Sequence, residues 1–571
     1  MKIERLLLLR ISQLLLFVGP TTTYAVSPVL NYDAISLPKV LVLSSIAISI
    51  FFLMATKANF IIALVEKNFF YACILFILCM FSTLLFSGAP LDQQIWGSFG
   101  RNTGFVTYVS LLFILFAAAI IQDPDFYKKL IKVFIYSSIP VIGYCLIQIS
   151  GNDPIGWSEK RTFATLGNVN FLSAYLGLVS ISALALLLQK GTSSVNRLVL
   201  LSIIFFALPI IASTNSIQGI MVFAAGSFVC VGFLIVSREK LRLLKVPYLV
   251  FSALSLVLTV MALFNSGPLA RFIFQTSIIL RGDYMHAGWE MTLKRPFFGV
   301  GMDSYGDWYR EARGVITTLR GSPERTANSA HSIFLDISSN GGFPLLLAYL
   351  LIIFLALAKF LKAVRLTRSY DPILVALFAT WSGYQVQALV SINQIGVGVW
   401  GWIFTGALFG YSKYLVSAHS DLQKDVKTKT PSLALYKDTK KLKSSLLPPL
   451  ISLIGVTGFV LGALVSVIPL NADIAYKKSL QTQSIEAMTQ ASERLGSTAF
   501  HRALVLESAV RSNLSEQAGN IVLTLIDRYP RDYYGWRILA LISPQGSVER
   551  SNAIDQMVKL DPFNKESLPS R

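Results

Sequence analysis

One stretch of the sequence concentrates side chains that bind anions and move protons. Arg281, Arg320 and Arg325 lie ahead of His331, which in turn precedes a long apolar run in NSAHSIFLDISSNGGFPLLL. Guanidinium groups pair with phosphate oxygens through a fixed fork of donors. An imidazole with an ordinary pKa of about 6.5 can accept a proton from a hydroxyl at neutral pH. These residues predict a site for an anion beside a group that can act as a base.

The composition indicates the kind of scaffold that must hold these residues. Of 571 residues, 54% are hydrophobic and only 14% are charged, and the mean hydropathy is +0.59. Soluble globular proteins contain about 25% charged residues, so we predict an all-α polytopic membrane protein. The net charge of +19 would indicate nucleic-acid binding only if the basic residues formed a surface patch. Here they separate apolar runs, and no nucleic-acid partner is expected.

Apolar runs long enough to cross a bilayer recur along the first 469 residues. A helix needs about 20 apolar residues to cross about 30 Å of hydrocarbon. A weaker run at 11–30, interrupted by GPTTT, resembles a signal peptide as well, and we interpret it as a crossing. The prediction is about 12–13 transmembrane helices, with the main runs at 37–55, 70–86, 105–121, 133–149, 171–188, 198–212, 220–236, 248–264, 343–358, 373–392, 397–416 and 450–468.

The lysines and arginines predict how the chain is oriented. They are concentrated in alternate connections, including the basic linker 417–448, and such residues are retained on the cytoplasmic side. This pattern places the N-terminus inside and the anion site in the largest outer connection. The segments expected on the outer face are 87–104, 150–170, 213–219, 265–342 and the whole region 470–571.

A set of motifs in a fixed order resembles one family of membrane enzymes. LRGDY, LKRPFFGVG and AHSIFLDISSNGGFPLLL follow one another, and GRNTGFVTY and TFATLGNVNFLSAYLGL precede them. This set spans roughly residues 90–415. It is similar to the O-antigen ligase and polymerase superfamily of bacterial membrane glycosyltransferases, which includes O-oligosaccharyltransferases.

The resemblance implies a fold, an activity and its partners. It implies a multi-helix GT-C-like membrane domain over residues 1–469 that needs no metal or other cofactor. Such enzymes transfer a glycan from undecaprenyl diphosphate to an acceptor hydroxyl on the outer side of the bacterial plasma membrane. Arg281 and His331 match the family's functional residues by motif position. Arg281 is therefore expected to stabilise the diphosphate, and His331 to activate the acceptor or to bind the diphosphate.

One position of the family pattern is occupied differently in this chain. The family has an arginine in a short outer turn, whereas STNSIQGIM places Ile217 and Gln218 there. Another cation would then make the second phosphate contact, and Arg101, Lys160 and Arg161 are the candidates. Alternatively, the protein belongs to a branch with altered donor or acceptor binding, and Gln218 itself contacts the substrate.

Other residues are candidates for substrate contacts. Arg320 and Arg325 lie in the same large outer loop and are expected to add diphosphate contacts. Asn168 and Asn170 belong to a Gly-Asn-x-Asn element of the family, but a turn that caps the following helix explains them equally well. The two catalytic candidates also have simpler explanations, which are anchoring at lipid headgroups for the arginine and helix capping for the histidine.

An Asp-Pro-Asp element could suggest a divalent metal site. Asp123 and Asp125 lie beside Lys128 and Lys129, on the predicted cytoplasmic face. That face is opposite to the predicted anion site, and an aspartate before a proline is typical of a helix start. We therefore expect a helix cap there and no metal site.

The composition changes after residue 469. Residues 470–571 show helical periodicity, and Pro530 and Pro562 lie about one 34-residue repeat apart, as in degenerate tetratricopeptide (TPR) repeats. A TPR-like array would offer a groove to an acceptor or to a protein partner. The alternative is a plain helical cap that packs on the membrane domain.

A second functional class and several acceptors stay open. A non-enzymatic transporter or flippase of lipid-linked oligosaccharide would share the helix count and the basic cavity. Transporters commonly consist of pseudo-symmetric halves, whereas this candidate site is one asymmetric outer loop, which favours the enzyme. The acceptor could be a lipid A core, a growing glycan, or serine and threonine residues of a protein.

Overall fold

The regular structure of the described chain is entirely helical. The computed structural model describes residues 2–274, 276–320, 322, 324–367, 369–425, 447–564 and 568–569. Within these residues, 12 helices are long and apolar enough to cross a membrane. The shorter apolar helix Phe105–Ile120 accounts for the remaining predicted crossing. The prediction of an all-α polytopic membrane protein is therefore confirmed.

The spanning helices follow the predicted apolar runs, and short helices lie between them. A 3-10 helix, Glu239–Leu244, joins two of the spans. In chain order the α-helices up to the last span are α1 (Lys2–Tyr24), α2 (Ser36–Ala55), α3 (Ala58–Ala63), α4 (Lys67–Phe86), α5 (Leu91–Trp96), α6 (Phe105–Ile120), α7 (Pro124–Tyr136), α8 (Ser138–Ile149), α9 (Val169–Leu187), α10 (Ser194–Ser213), α11 (Ile217–Ser237), α12 (Lys245–Leu263), α13 (Ala270–Ile273), α14 (Thr276–Lys294), α15 (Tyr305–Ala312), α16 (Val315–Arg320), α17 (Ile333–Leu366), α18 (Pro372–Val390), α19 (Ile395–Asp425) and α20 (Leu447–Thr482).

Aspartate-proline pairs start two of these helices. The Asp123 side chain accepts a hydrogen bond from the backbone N–H of Asp125 at 3.0 Å, and Pro124 is the first residue of α7. Asp371 accepts in the same way from Ile373 at 2.9 Å ahead of α18. A carboxylate at this position satisfies N–H groups that have no partner in the helix. The expectation that the Asp-Pro-Asp element caps a helix is confirmed.

The last helix before the basic linker forms the centre of the bundle. The spanning part of α19 is buried throughout and packs against α1, α6, α17 and α18. At the α1 contact, Gly19 leaves room for the buried Trp400 ring, since a Cβ there would lie 2.5 Å from the indole. Helix α1 is thereby part of the bundle core. The predicted linker 417–448 overlaps α19, whose last nine residues, up to Asp425, belong to it. Residues 426–446 lie outside the described residues.

The predicted RPFFGVG stop packs onto a kink in α17. This helix begins at Ile333, ahead of the predicted run, and is interrupted at Gly342, where φ is 72°. The Phe343 N–H donates to the Pro296 carbonyl at 2.8 Å, and the Val300 N–H donates to the Ser339 carbonyl at 2.8 Å. A Cβ on Gly342 would lie 2.5 Å from the Pro296 oxygen, so only glycine fits this close approach. The contact fixes the end of α14 against α17.

The region after the last span continues without a break from the membrane bundle. Helix α20 runs through the predicted domain boundary at 469 and leads to five further helices. Two hydrophobic cores hold these helices together. They are α21 (Ile485–Ser492), α22 (Ala499–Arg511), α23 (Ser515–Arg528), α24 (Tyr533–Ile542) and α25 (Val548–Leu560), and we call them the C-terminal helical domain.

Ion pairs join the C-terminal helical domain to the large loop 265–342. Arg313 is buried and donates to Asp561 at 2.6 Å, and Arg531 pairs with Glu311. The domain also contacts the α4–α6 connection, because Arg528 pairs with Asp92 at 2.6 Å. The loop and the C-terminal helical domain therefore lie on the same side of the bundle.

Candidate functional site

One face of α14 brings the predicted arginine and histidine together. Arg281, Tyr284 and Gly288 are spaced three and four residues apart and so lie on one side of the helix. The Tyr284 ring stacks on the His331 ring, with centroids 5.1 Å apart and planes at 29°. Gly288 allows the close approach, since a Cβ there would lie 2.9 Å from the Ala330 Cβ. Arg281 lies one helical turn from the stacked pair and is near enough for its charge to act on His331.

His331 has an uncommon backbone conformation that its neighbours hold in place. Its φ is 53°, in the left-handed region, which costs a residue other than glycine about 1–3 kcal/mol. The His331 N–H donates to the Ser329 hydroxyl at 2.9 Å, and that hydroxyl donates to Asp336 at 2.9 Å. Asp336 also accepts from the Ala330 N–H at 2.8 Å. The buried carboxylate in the first turn of α17 therefore shapes the loop that presents the imidazole.

Arg101 also contacts the loop that carries His331. Its guanidinium donates to the Asn328 carbonyl at 2.8 Å and pairs with Asp336 at 3.4 Å and with Asp303 at 3.3 Å. Only 5% of the side chain is exposed. Asp303 is held in turn by the N–H groups of Ser98 and Thr103. The guanidinium thereby holds the segment ahead of His331, and the predicted contact of Arg101 to phosphate stays a prediction.

The electrostatics of the two catalytic candidates are complementary. Burial, followed by the positive charges of Arg281 and Arg101, lowers the pKa of His331 to about 4, so its imidazole is neutral at neutral pH. Burial also lowers the pKa of Arg281, although a guanidinium stays protonated in proteins. Among the described residues, no side chain forms an ion pair or hydrogen bond with the Arg281 guanidinium. A half-buried cation without a protein partner is well placed to bind an anion.

The other arginines of the loop are in different surroundings. Arg320 is exposed and pairs with Asp283 at 2.9 Å. The Arg325 side chain is exposed, and its backbone carbonyl accepts from Arg313 at 3.0 Å. Both therefore lie on the outer surface of the loop, and their predicted contacts to diphosphate stay predictions.

The remaining candidates lie around the start of α9 and α11. Lys160 and Arg161 are exposed in the connection before α9. Asn168 caps α9 by accepting from the Asn170 N–H at 2.8 Å, and the Asn170 side chain accepts from the Ser216 hydroxyl at 2.7 Å. The capping explanation thus holds for Asn168. No described contact joins any of these residues to His331.

Gln218 occupies the place of the family's missing arginine. It is 1% exposed, and neither atom of its amide has a hydrogen-bond partner among the described residues. A buried polar group without a partner is uncommon and costs stability. Gln218 therefore has unused hydrogen-bonding capacity at the N-terminal end of α11, and its predicted contact to substrate stays a prediction.

A cavity of about 460 Å³ opens at His331. One wall consists of Tyr284, His331 and Asp307 from the large loop, and the other includes Asp532 and Tyr534 from the C-terminal helical domain. Ligand sites in proteins commonly enclose about 300–1,000 Å³. The imidazole is thus accessible to a molecule of the size of one or two sugars.

Sequence reasoning missed several residues of this site. Tyr284 could have been found from its spacing, since it lies three residues after Arg281 on a helix. Asp336 could have been found from its place after His331 at the N-terminus of a helix. Asp307 and Asp532 carried none, because they belong to segments that meet only in the folded chain.

The comparisons with known proteins agree with the motifs. The family model described as O-antigen ligase matches residues 200–350, a segment that contains Arg281, His331 and Asp336. A search of curated protein sequences finds no significant match. The resemblance to the O-antigen ligase and polymerase superfamily is confirmed, and the match to the O-antigen ligase model covers residues 200–350.

Proposed function

We propose that the protein transfers a glycan from undecaprenyl diphosphate to an acceptor hydroxyl on the outer side of the plasma membrane. The observation that carries this proposal is that Arg281, half-buried and without an ionic partner among the described residues, lies near the neutral imidazole of His331. The O-antigen ligase domain supports glycosyl transfer as the reaction class. The finer assignments of donor, outer face and residue roles are part of the proposal.

The reaction needs a base on one side and a cation on the other. The acceptor oxygen forms a bond to the anomeric carbon, and the bond from that carbon to the diphosphate oxygen breaks with its electron pair. The hydroxyl proton passes to the neutral imidazole of His331, and Arg281 stabilises the charge that develops on the departing diphosphate. No step in this scheme requires a metal ion.

The donor itself would prepare the base. In the protein without bound donor, the pKa of His331 is about 4, because the side chain is buried and two arginines lie nearby. A bound diphosphate would neutralise the field of Arg281 and bring negative charge close to the imidazole, which raises the pKa of a histidine. The same binding would also suit a hydrogen bond from the imidazole to the diphosphate, the second role predicted for His331. Donor binding would thus strengthen His331 as a base just before the acceptor reacts.

An assay with the purified full-length protein tests the proposal. Polyprenyl-diphosphate-linked glycan from the source membranes is incubated with lipid A core, with further lipid-linked glycan, or with a serine- and threonine-rich peptide, each with and without a chelator. The expected result is a product that persists with chelator and is lost in Arg281→Ala and His331→Ala. His286→Ala and Lys294→Ala are matched controls, because both side chains are exposed on α14. Translocation of the lipid-linked glycan without any product would support the transporter alternative and refute the transferase.

A further inference from the structure

The cavity at His331 is closed by a part of the chain outside the family domain. Residues 531–534, between α23 and α24, form the wall that faces the large loop. The C-terminal helical domain is held there by the Arg313–Asp561 pair and by Arg531, whose guanidinium lies 3.4 Å from the centre of the Trp308 ring. Residues 531–534 are therefore part of the cavity at His331.

The cations around this cavity are already paired. Arg310 lines it and donates to Asp561 at 2.9 Å while lying 4.3 Å above the Tyr533 ring. Arg531 pairs with Glu311. Two positive charges near the cavity are therefore compensated by carboxylates of the protein, and they do not make the cavity a second anion site.

Two aspartates line the cavity and accept hydrogen bonds from neutral groups. Asp307 accepts a hydrogen bond from the Gln93 amide at 2.7 Å, and Asp532 accepts from the Gly535 N–H at 2.7 Å. Among the described residues, neither forms a salt bridge. Burial raises the pKa of each to about 6, and the charge of Asp532 contributes to the rise at Asp307. The charges of Arg531 near Asp307 and of Arg310 near Asp532 limit the rise. Both carboxyls therefore have oxygens available to hydroxyl donors, and at neutral pH they would repel a diphosphate.

A second cavity of about 270 Å³ shares the Asp307 and Asp532 wall. It extends under the C-terminal helical domain and is lined by Asn102, which is 3% exposed and whose side-chain oxygen has no described hydrogen-bond partner. An unpaired buried carbonyl oxygen facing a cavity is a binding position for a ligand N–H or O–H. The two cavities together offer hydrogen-bond acceptors and aromatic side chains along one path that ends at His331.

We infer that the end of the acceptor glycan binds in the cavity at His331, with its hydroxyls donating to Asp307 and Asp532, so that the C-terminal helical domain supplies half of the acceptor site. This inference rests on the proposed function. It assigns the acceptor to the class of uncharged, hydroxyl-rich sugars, because carboxylate acceptors and tyrosine rings suit sugar hydroxyls and sugar C–H faces. The lipid-linked donor would approach Arg281 instead, since that cation is not among the described residues that line the cavity.

Kinetics of two isosteric variants test the inference. Asp307→Asn and Asp532→Asn keep the side-chain shape, and asparagine caps a helix as well as aspartate, so α24 is expected to form normally. The expected result is a rise of about tenfold or more in KM for the acceptor, with KM for the lipid-linked donor unchanged. Asp527→Asn, an exposed carboxylate on α23, is the control and is expected to behave like the unaltered protein. Unchanged acceptor KM in both variants would overturn the inference while leaving the transferase in place.

A labelling experiment tests the same cavity without catalysis. The full-length Tyr534→Cys variant is treated with a maleimide in the presence of the oligosaccharide released by mild acid from the lipid-linked glycan of the source membranes. The expected result is slower labelling by the oligosaccharide, with no effect on Val548→Cys, which is an exposed position of the same domain. Protection by a serine- and threonine-rich peptide but not by the oligosaccharide would overturn the sugar assignment. If the unaltered protein transfers no glycan at all, the proposed function fails, and this labelling result still decides whether the cavity binds sugar.

Discussion

Two surfaces meet at His331, and they differ in charge and in origin. The α14 surface presents Arg281, a cation with no described partner, and belongs to the O-antigen ligase domain. The cavity surface presents Asp307 and Asp532, two carboxyls that form no salt bridge with a described residue, and Asp532 comes from the C-terminal helical domain. A glycosyl transfer needs an anionic leaving group and a neutral nucleophile, and the two surfaces match those two requirements. Under the proposed function, the donor would bind at Arg281, and the acceptor would bind between the large loop and the C-terminal helical domain.

A comparison between Arg281 and Arg101 shows what separates a chemical role from a positioning role. Both guanidiniums lower the pKa of His331. The Arg101 guanidinium contacts Asp303, Asp336 and the Asn328 carbonyl, whereas Arg281 has no such partners among the described residues. The free hydrogen-bonding capacity of Arg281, and not its charge alone, makes it the candidate for diphosphate binding.

The largest expected effect comes from removing the groups that act on the reacting atoms. His331→Ala should lower kcat by about 10²–10⁴-fold and Arg281→Ala by about 10²–10³-fold. Arg320→Ala should have a much smaller effect, because that side chain is exposed and pairs with Asp283. Initial rates of product formation at saturating donor and acceptor measure these ratios. Equal losses for Arg281→Ala and Arg320→Ala would contradict the distinction between them.

The second largest effect should follow from loosening the loop that holds the imidazole. Asp336→Asn keeps the shape of the side chain but removes the charge that pairs with Arg101. It also replaces one of the two carboxylate oxygens that accept hydrogen bonds from Ser329 and Ala330. We expect kcat to fall about 10–100-fold, since small misplacement of a catalytic group costs this much, with KM for both substrates little changed. A variant that unfolds would lose binding as well, so the split between kcat and KM separates positioning from structural collapse.

Part of this arrangement could be predicted from the sequence, and the reason is local. The apolar runs predicted which segments span, although α17 begins at Ile333, well ahead of its predicted run at 343–358. The spacing of Arg281 and Tyr284 was enough to indicate that they share one face of a helix. The ionic partners of Arg101 could not be predicted, because Asp303 and Asp336 reach it only when three distant segments pack together. The same applies to Asp532, whose place at the site depends on how α20 carries the C-terminal helical domain back over the large loop. Charge and spacing indicate what a side chain can do, and tertiary packing decides which partner it has.

The third prediction concerns the proton affinity of His331. Arg281→Gln removes one of the two charges that lower its pKa, so the pKa of His331 should rise from about 4 towards its ordinary value, by roughly one unit. The pH dependence of modification by diethyl pyrocarbonate, followed by mass spectrometry of the His331 peptide, measures this change because only the neutral imidazole reacts. The unaltered protein should reach half of its full reactivity near pH 4 and the variant about one pH unit higher, so the two should differ most between these pH values. His286, exposed on the same helix, serves as the internal reference for the reagent. A midpoint near 6.5 in the unaltered protein would contradict the described electrostatics.

The smallest expected effect tests the cavity surface through stability. The pKa of Asp532 is about 6 in the folded protein against 3.8 ordinarily, so the folded state holds its proton more tightly than the unfolded chain. The stability of the protein should therefore fall as pH rises from about 4 to about 6, and the penalty should be complete above that range. Asp532→Asn removes the ionisable group and keeps the helix cap, so it should raise the unfolding temperature at pH 7.5 by on the order of 2 °C and leave it unchanged at pH 4.

Scanning fluorimetry at both pH values, with Asp527→Asn as control, measures the difference. A variant that is more stable yet binds the acceptor less well would identify Asp532 as a residue kept for binding at a cost in stability, whereas a loss of stability at pH 7.5 would show that its carboxylate serves the fold.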